Sequence, residues 1–233
     1  MRSPVRSEKI ELSFWYHEPN HMIARLIPWL APLLALSFQP APPRMPDEPS
    51  PLALFSPEWN DTAYLKCNTA RDCRYMTAAE KEVIYILNLV HTNPRLFEKT
   101  VVQRFPDLKK RPSLRDQPEF PTLAATLAAM KPVSLIYPDS LCFVSARCHA
   151  ITAGRAGYVG HERQSKSCGA LIYGECCSYG HQDPLDIVMA LLVDHNVPSL
   201  GHREMCLSPY GKIGVSIQPH TGYGYNAVLD FYF

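Results

Sequence analysis

The chain has 233 residues, 46% of them hydrophobic and 19% charged, the make-up of a folded protein long enough for a sizeable core. Its 23 lysines and arginines against 22 aspartates and glutamates leave a formal net charge of +1. That balance gives no electrostatic case for nucleic acid or an anionic membrane surface as a partner.

In chain order, Leu26 to Leu36 is a mostly apolar stretch behind Arg25, and Ala35-Leu36-Ser37 resembles a small-residue cleavage site. Pro28 and Pro32 interrupt the run, which is too short to be a good membrane span. Residues 22–37 therefore read as a signal peptide starting at Met22, with residues 1–21 as a misassigned extension. Residues 38–62 read as a Pro-rich linker containing the sequon Asn60-Asp61-Thr62, and residues 63–233 as the folded domain.

Thr77-Ala78-Ala79-Glu80 has the form of a capping box, and Val83, Ile86, Leu87 and Val90 follow at one-face helical spacing. Asn93-Pro94 ends that helix, and Arg95 to Phe105 begins another. A polar loop is expected over 106–120, then a short alanine-rich helix over Leu123 to Met130. Pro138-Asp139 opens a helix to about Thr152, with Leu141, Val144, Cys148 and Ile151 expected on its inner face. Residues 153–169 read as irregular, Ala170 to Tyr173 as a short strand delivering Glu175, and Asp183-Pro184 as the start of a helix reaching Asp194. Ile213 to Ile217 and Tyr225 to Phe233 alternate as strands do, with a hairpin turn around Tyr223-Gly224. The order predicts an α+β fold with helices layered on a small antiparallel sheet.

Eight cysteines without a Cys-x-x-Cys pair read as disulfide partners in an oxidising compartment. Their pairing stays open. Cys67 and Cys73 make an easy local loop, and adjacent Cys176 and Cys177 are expected to reach different partners. Cys142 and Cys148 on one helix would be separated by roughly 9 Å of rise, beyond the usual disulfide limit of about 7 Å.

The chemistry concentrates in the C-terminal third. His161, Glu175, Asp194 and His202 follow one another at spacings of 14, 19 and 8 residues and are expected to line one polar cleft. Imidazole offers a neutral nitrogen for metal or proton transfer, and a carboxylate can orient it. His161-Glu162 opens a metalloprotease-like string, but Ser165 stands where its second histidine belongs, so that enzyme class is excluded. His149 reads as a core histidine, and His91, His181, His195 and His220 as surface residues.

Met76 to Glu80 with Asn88 and Asn93 to Phe97, the helix around Leu141 to Ala150, Tyr173-Gly174-Glu175, Gly201-His202-Arg203, Ile213-Gly214-Val215 and the last aromatic strand follow one another in order. Together they resemble the superfamily of cysteine-rich secretory proteins, antigen 5 and plant pathogenesis-related proteins, the CAP superfamily, most of all its bacterial branch. The resemblance covers roughly residues 75–233. It implies a three-layer α/β/α sandwich with a cleft in which His161 and His202 hold zinc or another divalent metal, and Glu175 and Asp194 are the acids. Cys176 stands where the family has asparagine, Asp194 where it has the longer glutamate, and His91 where arginine is common.

The function expected on that basis is binding of an extracellular or envelope ligand by a secreted protein, with weak metal affinity because zinc usually takes more than two protein ligands. One alternative is a metal-assisted hydrolase with Glu175 as general base. Another is an extracellular assembly module with a vestigial cleft.

Overall fold

The computed structural model describes residues 49–169 and 173–233. The expected extension and signal peptide, the first part of the linker and most of the Ala170–Tyr173 strand lie outside the described residues.

The first long helix, α1 (Ala78–Thr92), begins at a complete capping box: Thr77 accepts from the Glu80 backbone N–H, and Glu80 accepts from the Thr77 N–H. Nearly every side chain from Val83 to Val90 is buried, as expected for a helix packed on several sides. Its buried polar residues join other segments to it. Glu80 Oε1 accepts from the Ile217 N–H, and Asn88 donates to the Cys67 and Ile136 carbonyls while accepting from the Ile136 N–H. A continuous helical path follows as α2 (Pro94–Phe97), a π-turn over Glu98–Val102 and α3 (Gln103–Leu108). The expected polar loop is shorter than anticipated, because α4 (Glu119–Ala129) already starts at Glu119.

Strand β1 (Tyr137–Pro138) leads into α5 (Ser140–Ala156), which Asp139 caps by accepting from the N–H groups of Leu141 and Cys142. Then come β2 (Gly174–Tyr179), α6 (Pro184–Val193), α7 (Gly201–Leu207), β3 (Lys212–His220) and β4 (Gly224–Tyr232). The sheet order is β1-β3-β4-β2, so β2 is an edge strand. β3 pairs antiparallel with β4, as β4 does with β2. β1 runs parallel to β3, which makes the sheet mixed rather than wholly antiparallel; a chain that returns from β1 through α5 and reaches β3 only later can enter beside it in the same direction.

The fold is α+β with three layers. On β4, Ala227, Leu229 and Phe231 join the main core with α1 and α6, while Val228 packs with Ala146 and Ala150 of α5 on the opposite face. α5 approaches closely enough that a Cβ on Gly214 would overlap the backbone of Cys142 and Phe143. That closeness corrects the expected inner face. Leu141 and Val144 are each 63% exposed, and the buried side is built from Cys142, Ser145, Ala146, His149, Ala150, Ala153 and Gly154. Small residues let the helix sit against the sheet, and a reading weighted by bulk picks the wrong side.

Three further expectations change. From Ser50 onward the supposed linker belongs to the folded body: Leu52, Phe55 and Trp59 are buried, and Trp59 Nε1 donates to Thr100 Oγ1 at 3.0 Å. Apolar anchors between the prolines outweigh the linker-like composition. His91 and His220 are buried rather than on the surface. His91 bridges the Ser134 and Cys206 carbonyls at 3.0 and 2.8 Å, and His220 Nδ1 accepts from the N–H groups of Gly222 and Tyr223 in the β3–β4 turn. Finally, the disulfide is Cys148–Cys168; Cys67 and Cys73 are free, as are Cys142, Cys176, Cys177 and Cys206.

Candidate functional site

The site lies at the β2 edge of the sheet. Glu175 belongs to β2 itself, not to a loop following a strand as expected, and its cross-strand neighbour on β4 is Asp230. α5 ends at Gly157, whose φ of 66° suits a left-handed helix terminus. The chain from there to Cys168 crosses the edge and is tied back to α5 by the disulfide to Cys148. Gly160 is pinned twice within this crossing: its N–H donates to Tyr179 Oη at 2.9 Å, and its carbonyl lies 3.0 Å from His149 Nε2. The next residue, His161, places Nδ1 2.9 Å from Glu175 Oε1. Arg163 brings Nη1 to 2.8 Å from Glu175 Oε2 and Nη2 to 3.3 Å from Asp230 Oδ2. One guanidinium therefore stands between two neighbouring carboxylates.

The second wall is built from the end of α6 and the start of α7. Asp183 caps α6, accepting from the Asp186 N–H, and the helix closes at Asp194, whose φ is 57°. Aspartate tolerates this left-handed geometry better than most residues. The expected role for Asp194, an acid on the helix reaching into the cleft, is corrected. It is a helix terminus, 2% exposed, and its carboxylate turns towards α7. Oδ2 accepts from the His202 and Arg203 N–H groups at 3.0 and 3.3 Å, and Oδ1 lies 2.7 Å from His202 Nδ1. Asp194 thus caps α7 from a distance, in place of Leu200, which makes no side-chain cap. Leu200 itself sits at φ 51°, a strained value for a bulky residue, directly before the Gly201-His202 step.

The two walls meet. The His161 and His202 rings lie 5.8 Å apart between centroids and 38° from parallel, so the four residues expected in a cleft do come together. Each Nδ1 faces a carboxylate, which assigns the Nδ1–H tautomer to a neutral ring. Each Nε2 then keeps its lone pair, and neither makes a hydrogen bond to the described residues. Such a pair can ligate a cation, accept a proton or receive a ligand N–H or O–H.

Electrostatics separate the acids. The hydrogen bond from His161 to Glu175 raises the imidazole above its ordinary value, against partial burial. Burial alone would raise Glu175, but the imidazoles of His161 and His149 and the guanidinium of Arg163 outweigh it and hold the carboxyl below its usual range. Burial pushes Asp230 up to about 7, the adjacent Glu175 adding to it and Ser145 and Arg163 opposing. Glu175 is therefore the ionised member of the pair, with a side chain only 6% exposed and several cationic or hydrogen-bonding partners.

Sequence reading missed the residues behind His161. Arg163, Ser145 and Asp230 hold Glu175 in place, and an aspartate amid the apolar Val228-Leu229-Asp230-Phe231 was the available signal. His149 is buried as expected of a core histidine, yet its Nε2 lies 3.8 Å from Glu175 Oε1 and its Nδ1 has no hydrogen-bond partner. With Glu175 and Cys177 it forms a group whose donor atoms all lie within 4.8 Å of one another and could hold a metal ion. A separate cavity of about 220 Å³, lined by Phe105, Leu114, Met189 and Val193, contains none of these residues; its Arg111 and Asp186 pair with each other at 3.1 Å. Among the described residues no helix is long and apolar enough to cross a membrane. No protein-family model, curated protein or solved structure matches the chain.

Proposed function

We propose that the chain is an exported binding protein of the CAP type, which takes a divalent cation, zinc foremost, or a ligand donor between His161 and His202. One observation carries this reading: two imidazoles from separate walls stand 5.8 Å apart, each held at Nδ1 by its own carboxylate. A carboxylate behind a ring fixes its tautomer and raises the basicity of the outward nitrogen. Two protein ligands leave the remaining positions to water or to a partner's donor atoms, so affinity for the bare ion is modest. The ordered motifs and the three layers support membership of the superfamily, and the Cys148–Cys168 bond supports an oxidising compartment.

Binding is favoured over hydrolysis by the state of Glu175. A general base must reach a water poised on substrate, and this carboxylate is buried against His161 and Arg163. Its part is to aim His161. The partner is taken to be an extracellular or envelope component with its own nitrogen or oxygen donors. Calorimetry with zinc on the wild type and on His202→Ala tests the reading. Loss of one of two ligands should weaken binding at least ~10-fold; equal affinities overturn it.

A further inference from the structure

We propose a second metal seat behind the cleft, in which His149, Glu175 and Cys177 hold a zinc-class cation through nitrogen, oxygen and sulfur. It goes beyond the cleft reading and does not depend on it. Glu175 and Cys177 are two residues apart on β2 and so point to the same face, and His149 reaches that face from α5. All three donors are therefore set on a strand and a helix, the rigid parts of the molecule. Glu175 Oε1 lies 3.8 Å from His149 Nε2 and 3.7 Å from Cys177 Sγ, and the whole set falls within 4.8 Å. Donors around a tetrahedral zinc ion, with bonds of about 2.0–2.3 Å, stand roughly 3.3–3.8 Å apart. The side chains thus need only small shifts to close on an ion.

Charge favours the same conclusion. A divalent cation with one carboxylate and one thiolate is neutral as a unit, so no uncompensated ionic charge is left buried among the three donors. The Arg163 guanidinium holds Glu175 by Oε2 and leaves Oε1 turned to the other two donors. Oε1 has two lone pairs, so it can ligate the ion and still accept from His161 Nδ1, as carboxylates do beside metal-bound histidines. His149, wholly buried, has a ring nitrogen without a partner. On loading, the ion takes Nε2, and the proton now directed at the Gly160 carbonyl passes to Nδ1. The Cys177 thiol loses its proton to solvent as the sulfur–metal bond forms, so one proton is released per ion. Sulfur selects zinc over magnesium or calcium, and three protein donors leave a fourth position for water.

Cobalt(II) is the probe, added without oxygen to the full chain with Cys148–Cys168 intact. The wild type should give a sulfur-to-cobalt charge-transfer band saturating at one equivalent and bleached by zinc. His202→Ala should retain that band at full intensity, and Cys177→Ala should abolish it. If Cys177→Ala does not fold, Cys177→Ser keeps the side-chain shape, and the band must vanish there too. Cobalt bound without the sulfur band, and lost in His202→Ala, overturns the inner seat while leaving the cleft reading standing. A band that survives removal of the Cys177 sulfur also overturns it. A band present in both wild type and His202→Ala, with zinc affinity equal in the two, supports the inner seat and sinks the cleft reading instead.

Discussion

Arg203, next to His202, is 4% exposed and makes four hydrogen bonds through its side chain. Nε donates to the Leu192 carbonyl at 2.6 Å, Nη2 to the Val193 and Glu119 carbonyls at 2.8 and 2.9 Å, and Nη1 to Thr122 Oγ1 at 2.9 Å. The last carbonyls of α6 have no partners within their own helix, and a guanidinium supplies several donors in one plane. Arg203→Ala should therefore cost about 3 kcal/mol, since buried acceptors lose charge-assisted bonds and the aliphatic stem leaves a gap. A lower urea midpoint at unchanged slope would register it; a loss under about 0.5 kcal/mol, as at an ordinary surface position, would refute it. His202 was legible as part of the candidate site because it closes the series His161, Glu175, Asp194 and His202. The arginine's part was not legible, because its partners lie 10 to 84 residues away and are mostly backbone carbonyls, which side-chain chemistry in a sequence does not mark.

At the scale of elements, the caps were the readable part. Thr77, Asp139 and Asp183 each accept from the first turn of the helix they open, and the sequence marks all three. What a helix buries was harder. α5 packs through alanine, serine and glycine, and the glycines are placed by approach distance: Gly214 faces the α5 backbone, and a Cβ on Gly154 would overlap the Pro219 carbonyl. Close backbone packing exchanges bulk for proximity, so hydrophobicity patterns point to exposed leucine and valine instead. Gly214→Ala should push α5 off the sheet and cost about 1–3 kcal/mol. Thermal melts would show it, and full stability in that variant would mean α5 sits further out than described. Asp194 shows the same limit. The residue was legible, but as the end of a helix expected to line the cleft, whereas a left-handed terminus turns it to cap the next helix.

For the whole molecule, the layers position the site without forming it. β2 brings Glu175 to the sheet's edge, the 157–169 crossing brings His161 and Arg163, and the α6–α7 junction brings Asp194 and His202. Sequence order alone indicated that these residues belonged together, but not that each acid serves one histidine. That depended on strand register and on a helix ending at Asp194. The Cys148–Cys168 bond, with a separation of 20 residues, encloses the crossing. Replacing both cysteines by serine should remove about 3 kcal/mol of stability by loosening the unfolded chain's constraint. Amide exchange should accelerate across 157–169 while α1 keeps its protection; uniform acceleration throughout would show that the bond holds the whole body together rather than this crossing.

That crossing has a consequence in time. A newly made chain still in reducing surroundings can assemble its helices and strands, yet nothing covalent returns His161 to its place opposite His202. Until the sulfurs join, as the final act of folding, the crossing would be kept opposite the second wall by hydrogen bonds and ion pairs alone.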